Sequence, residues 1–449
     1  MAKKPIVTVI GAASTTFGPK VLRDILNHPE VWGGTFRFVD INEERLDIYS
    51  RLAHRISDVL EEPIAIESTT DRRDVLADSD YVIVSVDTGH YTTWELDFTI
   101  PVERGIRQVT GELGGPGGLF HSLRQIPLHL EIARDIEELC PGAMVMVCSN
   151  PLNRICLAME RYANVGQIVG LCHGAEMALY LYLNRVLGID GDDMDITAAG
   201  VNHFTWILDL RRTSTGEDLY PFVKERLSQI EPDGQMLSRT LLEVYGYFPA
   251  CLDSHTGEYI PYAYEFCGLE GMNFAGHLEQ EEKRWRYLHE LSQDRVAWDT
   301  YAQHLGDQSV FSEELRLDDF FEPRSWADTL AFPIIAAMVG HRLHRMPAVN
   351  MLNDGTVTNL PPDVFVETPA VVDASGVRPV CMGALPGPLA AFCRRDVDQM
   401  ELTVEAAVSG DRNRVLQVML LDPVVDSVRN AERVLDEMLK AHAEYLPQF

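Results

Sequence analysis

Two residues with metal-binding chemistry stand in short polar motifs near the middle of the chain. Cys172 lies in the sequence GLCH and His203 in the sequence GVNH, and an Asn-Pro turn (SNP, residues 149–151) precedes both. A cysteine sulfur and a histidine imidazole are ligands for divalent transition metals, and the pair alone suits zinc, iron, cobalt or nickel. A buried structural Cys and a core His are the commoner roles, so the pair predicts a metal site only if folding brings the two together.

The segments that would position these motifs alternate between strands and helices. The hydrophobic patterns predict five strands: Ile6–Ile10, Thr35–Val39, Ile64–Ser68, Asp80–Val86 and Ala143–Cys148. Helices are expected at Phe17–Asn27, Glu43–Leu60 and Leu119–Leu139. This order predicts right-handed crossovers and an α/β fold with a Rossmann-like, doubly wound parallel sheet. The second half is expected to form an α+β lobe, with helices at Pro221–Leu227, His277–Leu291, Val397–Ser409, Arg412–Leu420 and Val425–His442.

The first predicted strand runs into a short turn that is typical of dinucleotide-binding proteins. A glycine there allows the tight turn that presents a helix N-terminus to a pyrophosphate, although Ala13 stands where a second glycine is usual. The second strand ends at an acidic residue, which can bind the adenine ribose diol and disfavours the 2′-phosphate of NADP. We therefore expect NAD to be bound here. The predicted cofactor-binding residues in this region are Gly11, Ala12, Ser14, Phe17 and Asp40.

Composition excludes several other classes of partner. The 449 residues carry a formal net charge of −30, which argues against nucleic acid and against anionic membrane surfaces. Eight scattered cysteines without a framework spacing indicate a reduced, cytoplasmic location, and no stretch is long and apolar enough to span a bilayer. The expected partner is therefore a small molecule.

Seven motifs in order resemble glycoside hydrolase family 4, whose members are NAD- and metal-dependent glycosidases with a fold like lactate and malate dehydrogenases. The related NAD-dependent sulfoquinovosidases share this architecture. The motifs are IGAASTTF at the start, GELGGPGGLFHSLRQIP (111–127), SNP (149–151), GLCH (170–173), GVNH (200–203), DSHTGEYIPY (253–262) and residues 350–379. The resemblance runs over nearly the whole chain and implies a homodimer or homotetramer. It also suggests an NAD-binding domain at 1–195 and a catalytic domain at 196–449.

The resemblance implies an oxidoreductive cleavage of α-glycosides in place of the usual pair of carboxylates. NAD⁺ would oxidise the sugar at C3, and the resulting ketone would acidify the C2 proton. A divalent metal, expected to be manganese, would stabilise the enediolate as a Lewis acid. Elimination would then expel the aglycone with help from a general acid, water would add, and the hydride would return.

Individual roles follow from the matching positions. Cys172 and His203 match the metal ligands, and Asn150 and Asn202 match residues that hold sugar hydroxyls, with Asn150 also near the cofactor. The catalytic assignments are more varied. Asp253 resembles the C2 base of the non-phosphorylated α-glycosidase branch, and the remaining candidates for proton transfer are Glu112, His173 and Tyr259. For Glu112, the alternative is a carboxylate that interacts with a helix dipole.

Departures from the family pattern indicate a diverged branch with an acidic hexose as substrate. Ala13 replaces a glycine, Glu112 replaces an aspartate, and His121 stands where an arginine is expected, although Arg124 is kept. We assign His121 and Arg124 to substrate binding. His173 argues against a 6-phospho substrate, which leaves a uronide such as galacturonide or the 6-sulfonated sugar sulfoquinovose. An anion at C6 needs a cation, for which Arg124, Arg154 and Lys283 are available.

Three other functions stay open at this point. The first is a neutral α-galactosidase or α-glucosidase of the same family. The second is an NAD-dependent sugar dehydrogenase with net NADH production. The third is a non-catalytic NAD-binding sensor, which an intact Cys172–His203 pair disfavours.

Overall fold

A computed structural model describes residues 3–58, 60–231, 233–293 and 329–449. The strands in this part of the chain are β1 Ile6–Ile10, β2 Thr35–Val39, β3 Ala65–Thr69, β4 Tyr81–Val84, β5 Met144–Val147, β6 Ile168–Gly170, β7 Met194–Val201, β8 Phe204–Arg212, β9 Phe248–Pro249, β10 His344–Leu352, β11 Phe365–Asp373 and β12 Gly376–Pro379. The helices are α1 Phe17–Asn27, α2 Glu43–Ser57, α3 His90–Glu103, α4 Gly115–Leu139, α5 Leu152–Tyr162, α6 Gly174–Met177, α7 Asn184–Leu187, α8 Tyr220–Leu227, α9 Met236–Tyr245, α10 Asp253–Thr256, α11 Tyr264–Cys267, α12 Phe274–Ser292, α13 Ala331–Val339, α14 Gly387–Ser409, α15 Arg412–Leu421 and α16 Val428–Ala441.

The first six strands form a parallel sheet in the order β3-β2-β1-β4-β5-β6. This is the strand order of dinucleotide-binding folds, and it confirms the predicted Rossmann-like class. Alternate side chains of β4 enter two different apolar clusters, with Ile83 in one and Val82 and Val84 in the other. The parallel strands are therefore buried on both faces, which explains their continuous hydrophobic sequences.

The second lobe continues the same sheet with antiparallel strands. β10 pairs with β6, and the order then runs β10-β11-β7-β8-β9. β12 pairs with the last residues of β11, on the edge opposite β10 that β11 also presents to β7. The predicted α+β lobe is thus confirmed. The proposed domain boundary at residue 195 falls inside β7, in a sheet that both lobes share, and it stays a prediction.

Several predicted segments differ from the observed ones. The helix expected at Leu119–Leu139 begins four residues earlier, because Gly115–Gly118 form its first turn and are not a loop. The helix expected at Val397–Ser409 begins at Gly387. β11 and β12 were not predicted, because the stretch near residues 350–390 that contains them is rich in proline and glycine.

Candidate active site

A long cleft lies at the carboxyl ends of the parallel strands, where β1 separates β2 from β4. It encloses about 780 Å³, and its lining includes Gly11, Ser14, Phe17, Asp40, Asp87, His121 and Asn150. Gly11 has a φ of +86°, and a Cβ there would lie 1.9 Å from the carbonyl oxygen of Ser85. Only glycine therefore allows the β1–α1 turn to pass this close to β4.

Hydrogen bonds of two side chains shape the turn. The Ser14 hydroxyl accepts the backbone N–H of Phe17 at 3.0 Å at the start of α1. The Asp40 carboxylate accepts the N–H groups of Ala13 at 3.1 Å and Asn42 at 3.0 Å. Ala12 is fully buried in the core and is absent from the cleft lining, while Ala13 lines it. The assignment of Ala12 to cofactor binding stays a prediction.

The residues of this cleft fit a dinucleotide. The helix N-terminus of α1, the glycine turn without a Cβ and an acid at the end of β2 stand together, and the cleft is large enough for an extended ligand. These are the chemical features that the phosphate and ribose groups of NAD require.

A smaller pocket of about 220 Å³ opens from one end of the cleft. Its lining includes Cys172, His173, His203, Cys251 and His255. Glu112, Cys148 and Asn150 line both the pocket and the cleft. The Asn150 amide donates a hydrogen bond to the Glu112 carboxylate at 2.7 Å. The two spaces therefore meet at a short polar junction.

His203 reaches the pocket from the tip of a hairpin. Asn202 and His203 are the two residues between β7 and β8, and His203 has a φ of 60°. A non-glycine residue in this left-handed region is uncommon, and such strain concentrates at functional sites. The Asn202 side chain is buried, and its amide nitrogen and oxygen have no hydrogen-bond partner among the described residues.

Three ligand-type side chains converge in the pocket. Glu112, His203 and His255 each offer one atom, and these atoms all lie within 4.8 Å of one another. The rings of His203 and His255 have centroids 4.6 Å apart. The Glu112 Oε2 atom and the Nδ1 atoms of both histidines are buried, and within the described part of the chain none has a hydrogen-bond partner. Buried polar atoms without partners are costly, and a divalent cation would satisfy a carboxylate and two imidazoles together.

Cys172 lines the same pocket and offers a soft sulfur beside this group. A hydrogen bond with Cys251 lowers the pKa of the Cys172 thiol well below its ordinary value, against the effect of burial, and His203 lowers it further. The same hydrogen bond and burial raise the pKa of Cys251. A thiol that ionises readily beside an imidazole fits a transition metal, so the donor set agrees with the predicted site.

The two predicted catalytic residues of the DSHTGEY motif are not part of the pocket lining. The Asp253 carboxylate accepts the backbone N–H of Leu237 at 2.6 Å, and the N–H and hydroxyl of Ser238 at 2.8 and 2.5 Å. It thereby caps the N-terminus of α9, and it is not among the residues that line the pocket. The Tyr259 hydroxyl donates to the backbone oxygen of Asn202 at 3.1 Å, and its ring stacks on Phe204 in the core. In the structure the Asp253 side chain therefore fixes α9, and the Tyr259 side chain fixes the hairpin between β7 and β8.

The predicted substrate cations are engaged elsewhere. Arg124 and Asp97 form a two-point salt bridge, with nitrogen–oxygen distances of 2.8 and 2.5 Å, and both side chains are 1% exposed. The Arg154 guanidinium donates to the Gly118 carbonyl and the Ser122 hydroxyl. Lys283 pairs with Glu279 on the exposed face of α12. None of the three cations projects free into the pocket.

His121 lies in the cleft beside Asp87. Its Nδ1 lies 2.9 Å from the Glu112 carbonyl oxygen, and its Nε2 lies 3.5 Å from the Asp87 carboxylate. Burial alone would lower the pKa of His121, but the hydrogen bond and charge of Asp87 raise it overall. His90 contacts the same carboxylate at 2.9 Å, so two imidazoles share one acid in this wall of the cleft.

Sequence reasoning missed His255 and Glu258, although both lie in the motif that it singled out. The Glu258 carboxylate accepts three backbone N–H groups of the loop that carries Glu112. Asp253 was chosen from this motif because it resembles the C2 base of the non-phosphorylated α-glycosidase branch. The sequence has one histidine in GVNH and another in DSHTGEY, and this pair was a signal that could have identified His255.

The chain belongs to the family 4 glycosyl hydrolases. The model of the family matches residues 6–187, and the model of its C-terminal domain matches residues 198–425. An α-galactosidase of Bacillus subtilis is 31% identical over 99% of both chains. An α-galacturonidase of the same organism is 28% identical, over 83% of this chain and 84% of its own. These findings confirm the predicted family and the glycoside hydrolase class.

Solved structures confirm the fold. A 6-phospho-alpha-glucosidase from gut microorganisms, in complex with NAD and Mn²⁺, has a TM-score of 0.81 at 20% identity and covers 99% of both chains. A malate dehydrogenase from Plasmodium falciparum has a TM-score of 0.51 at 11% identity, over 92% of this chain and 99% of its own. The predicted likeness to dehydrogenases is therefore correct. Among the described helices, none has the length and apolar character needed to cross a membrane.

Proposed function

We propose that this protein hydrolyses α-glycosides with NAD and a divalent metal as cofactors, and that the preferred metal is manganese. The observation that carries the proposal is the junction at which Glu112, Cys148 and Asn150 line both the dinucleotide cleft and the ligand cluster. When bound, NAD would supply hydride exchange at the sugar C3 and the metal would supply Lewis-acid polarisation of sugar oxygens. The structural relative that binds NAD and Mn²⁺ supports both cofactors.

The chain's own residues then have defined tasks. Cys172 and His203 would hold the ion, with His255 and Glu112 facing the same point. Asn150 would contact both the cofactor and the sugar because it stands at the junction. Asn202, whose buried amide has no hydrogen-bond partner in the described ranges, would bind a sugar hydroxyl.

Proton transfer would fall to residues that face the pocket. Glu112 and His173 both line it and stand within the predicted catalytic set, so they are the candidates for protonating the leaving group. Asp253 and Tyr259 act on the site through the segments they hold, since neither lines the pocket. This division separates groups that touch the substrate from groups that position them.

The substrate we propose first is an acidic α-hexoside, either a uronide such as galacturonide or a sulfoquinovoside. The relative named α-galacturonidase supports an acidic sugar, and the His173 imidazole lines the pocket, where it can meet an anion. A neutral α-galactoside or α-glucoside is the second candidate. It is favoured by the engagement of Arg124 and Arg154 with protein partners and by the 31% identical α-galactosidase.

The test is proton NMR in D₂O with NAD⁺, Mn²⁺ and four methyl α-glycosides, namely galacturonide, glucuronide, sulfoquinovoside and galactoside. Release of one sugar that carries deuterium at C2 is expected, because a C2 proton that leaves is replaced from solvent. Release of galactose alone would favour the neutral substrate. Accumulation of NADH with an oxidised product and no free sugar would overturn the glycosidase in favour of a dehydrogenase.

We also propose a homodimer or homotetramer in the cytoplasm, with the two domains dividing near residue 195. Light scattering measures the assembly, and a monomer at working concentration would contradict it. Fractionation of the host cell tests the location. Separate expression of residues 1–195 tests the boundary by its ability to bind NAD⁺.

A further inference from the structure

The Glu258 carboxylate is enclosed by the loop that carries Glu112. Its Oε2 atom accepts three consecutive backbone N–H groups, from Glu112 at 2.8 Å, Leu113 at 2.7 Å and Gly114 at 2.9 Å. The side chain is buried, with 4% of the residue exposed. Three successive amides that turn toward one carboxyl oxygen form a nest, and this contact fixes the backbone conformation of these three residues.

Backbone packing reinforces this contact. A Cβ on Gly114 would lie 2.2 Å from the carbonyl oxygen of Glu258, so the two main chains touch without room for a side chain. The loop is thus held by the carboxylate and by the Glu258 backbone. Because Glu112 is the first residue of the nest, the direction of its own side chain depends on this hold.

The same short segment carries a second member of the ligand cluster and contacts the hairpin that carries the third. His255 lies three residues before Glu258 and enters the pocket directly. Tyr259 donates to the carbonyl of Asn202, the residue before His203 in the β7–β8 hairpin. Residues 255–259 therefore connect all three ligand-bearing parts, which come from far apart in the sequence.

We infer that Glu258 is a positioning residue that holds the Glu112 loop at a set distance from His255 and so fixes the spacing of the cluster. Glu258 would not touch a bound ion but would hold a residue that does, and residues that hold metal ligands contribute strongly to metal affinity. The inference deepens the proposed function, on which its catalytic consequence rests. Its structural part, the hold on residues 112–114, stands independently of that function.

The first experiment measures hydrogen exchange of the 112–114 amides by mass spectrometry on the full-length chain. In Glu258→Ala these amides lose their acceptor, so exchange should accelerate by at least about tenfold at this loop. Glu265→Ala, an exposed change in α11, is the matched control and should leave the loop protected. Unchanged protection in the Glu258→Ala protein would overturn the inference, whatever the protein's activity.

The second experiment measures Mn²⁺ affinity from free-ion electron paramagnetic resonance, NAD⁺ affinity from titration calorimetry, and turnover. Glu258→Ala should weaken Mn²⁺ binding by about 10–100-fold with NAD⁺ binding unchanged. Glu258→Gln keeps an acceptor oxygen at the same reach and should recover most of the affinity. Glu258→Asp is one methylene too short for all three N–H groups and should resemble Ala.

These outcomes distinguish positioning from a general structural role. Equal losses of Mn²⁺ and NAD⁺ affinity, with no recovery in Gln, would show that Glu258 only stabilises the fold and would overturn the inference. If Glu258→Ala does not fold, the other two variants decide: the inference requires that Glu258→Gln binds Mn²⁺ more tightly than Glu258→Asp, and the reverse order would overturn it. A parent protein that binds no Mn²⁺ would remove the proposed metal function, and the exchange experiment would still decide the hold on the loop.

Discussion

The dinucleotide cleft and the metal pocket share Glu112 and Asn150 but differ in how their polar atoms are satisfied. In the cleft, Asp97 is paired with Arg124, and Asp40 accepts two backbone N–H groups. In the pocket, His203, His255 and Glu112 each keep a buried atom without a hydrogen-bond partner in the described residues. Paired groups stabilise the fold, whereas unpaired buried groups reduce stability unless a ligand completes them. The contrast therefore separates the Asp97–Arg124 pair, which the protein itself satisfies, from pocket atoms that a bound ligand would satisfy.

The largest effect is expected on stability, when the Asp97–Arg124 pair of the cleft is broken. Asp97→Asn leaves the Arg124 guanidinium buried without its counter-charge, so we expect the free energy of unfolding to fall by about 3–5 kcal/mol. Burial raises the pKa of the Asp97 carboxyl, but Arg124 and His442 outweigh it and hold the pKa below its ordinary value. The stabilisation is therefore complete above the ordinary pKa and is lost as pH falls through the lowered one. Urea unfolding at several pH values measures both effects.

Asp209→Asn is the control for that change, because Asp209 pairs with Arg211 at the exposed surface. Such a pair is screened by water, and its loss should leave the free energy of unfolding almost unchanged. If Asp97→Asn were equally harmless, Arg124 would be free to serve the substrate, and the contrast between cleft and pocket would fail.

The next largest effect is expected on metal binding, when a histidine of the pocket is removed. His203→Ala should lower Mn²⁺ affinity by more than about 100-fold, since a direct ligand contributes more than its outer partners. The free energy of unfolding of the metal-free protein should change much less than the Mn²⁺ affinity, because the buried Nδ1 atom has no hydrogen-bond partner in the described residues and only the contact with Cys172 is lost. Turnover should fall with the affinity, and chelation of metal from the parent protein should reproduce that loss. His54→Ala, an exposed change at the end of α2, serves as the control.

A loss of stability in His203→Ala that matches the loss of Mn²⁺ affinity would show that the imidazole already has a structural partner. That result would assign the hairpin to the fold. The measurement is calorimetric unfolding with and without the ion, at equal protein concentration.

A smaller effect is expected at the far end of the cleft. Asp40→Asn keeps an acceptor for the turn but removes the negative charge, so NAD⁺ affinity should fall by about tenfold. NADP⁺ affinity should rise relative to NAD⁺, because the carboxylate no longer opposes a 2′-phosphate. Titration with both dinucleotides measures the ratio. Glu43→Gln removes the same charge from the first turn of α2 and should change neither affinity.

The cleft could be predicted from the sequence because its residues are close in the chain. β1, the Gly11 turn, α1 and the end of β2 form one supersecondary unit, and its periodicity and turn residues carry the signal. Cys172 and His203 were also predicted, and the structure places both at one pocket. Their roles as ligands stay a prediction, supported by the unpaired atoms around them.

The rest of the pocket could not be predicted because side-chain direction within DSHTGEY is set by distant segments. Asp253 turns toward the N-terminus of α9, and Glu258 turns toward the 112–114 loop. Of the residues of this motif, His255 alone is among those that line the pocket. A sequence motif shows which residue types are present, but the hydrogen-bond donors that orient these two carboxylates come from residues 237–238 and 112–114.

The smallest expected effect tests that conclusion directly. Asp253→Ala removes the acceptor of the Leu237 and Ser238 N–H groups, so α9 loses its cap and the free energy of unfolding should fall by about 1–2 kcal/mol. Turnover should persist in the folded protein, since the carboxylate is outside the pocket. Ser254→Ala, an exposed neighbour, should change neither quantity. If Asp253→Ala instead kept its stability and lost turnover together with C2 deuterium exchange, the carboxylate would be the C2 base that the family resemblance implied. The hydrogen bonds to α9 would then describe a resting arrangement from which Asp253 turns to meet the sugar.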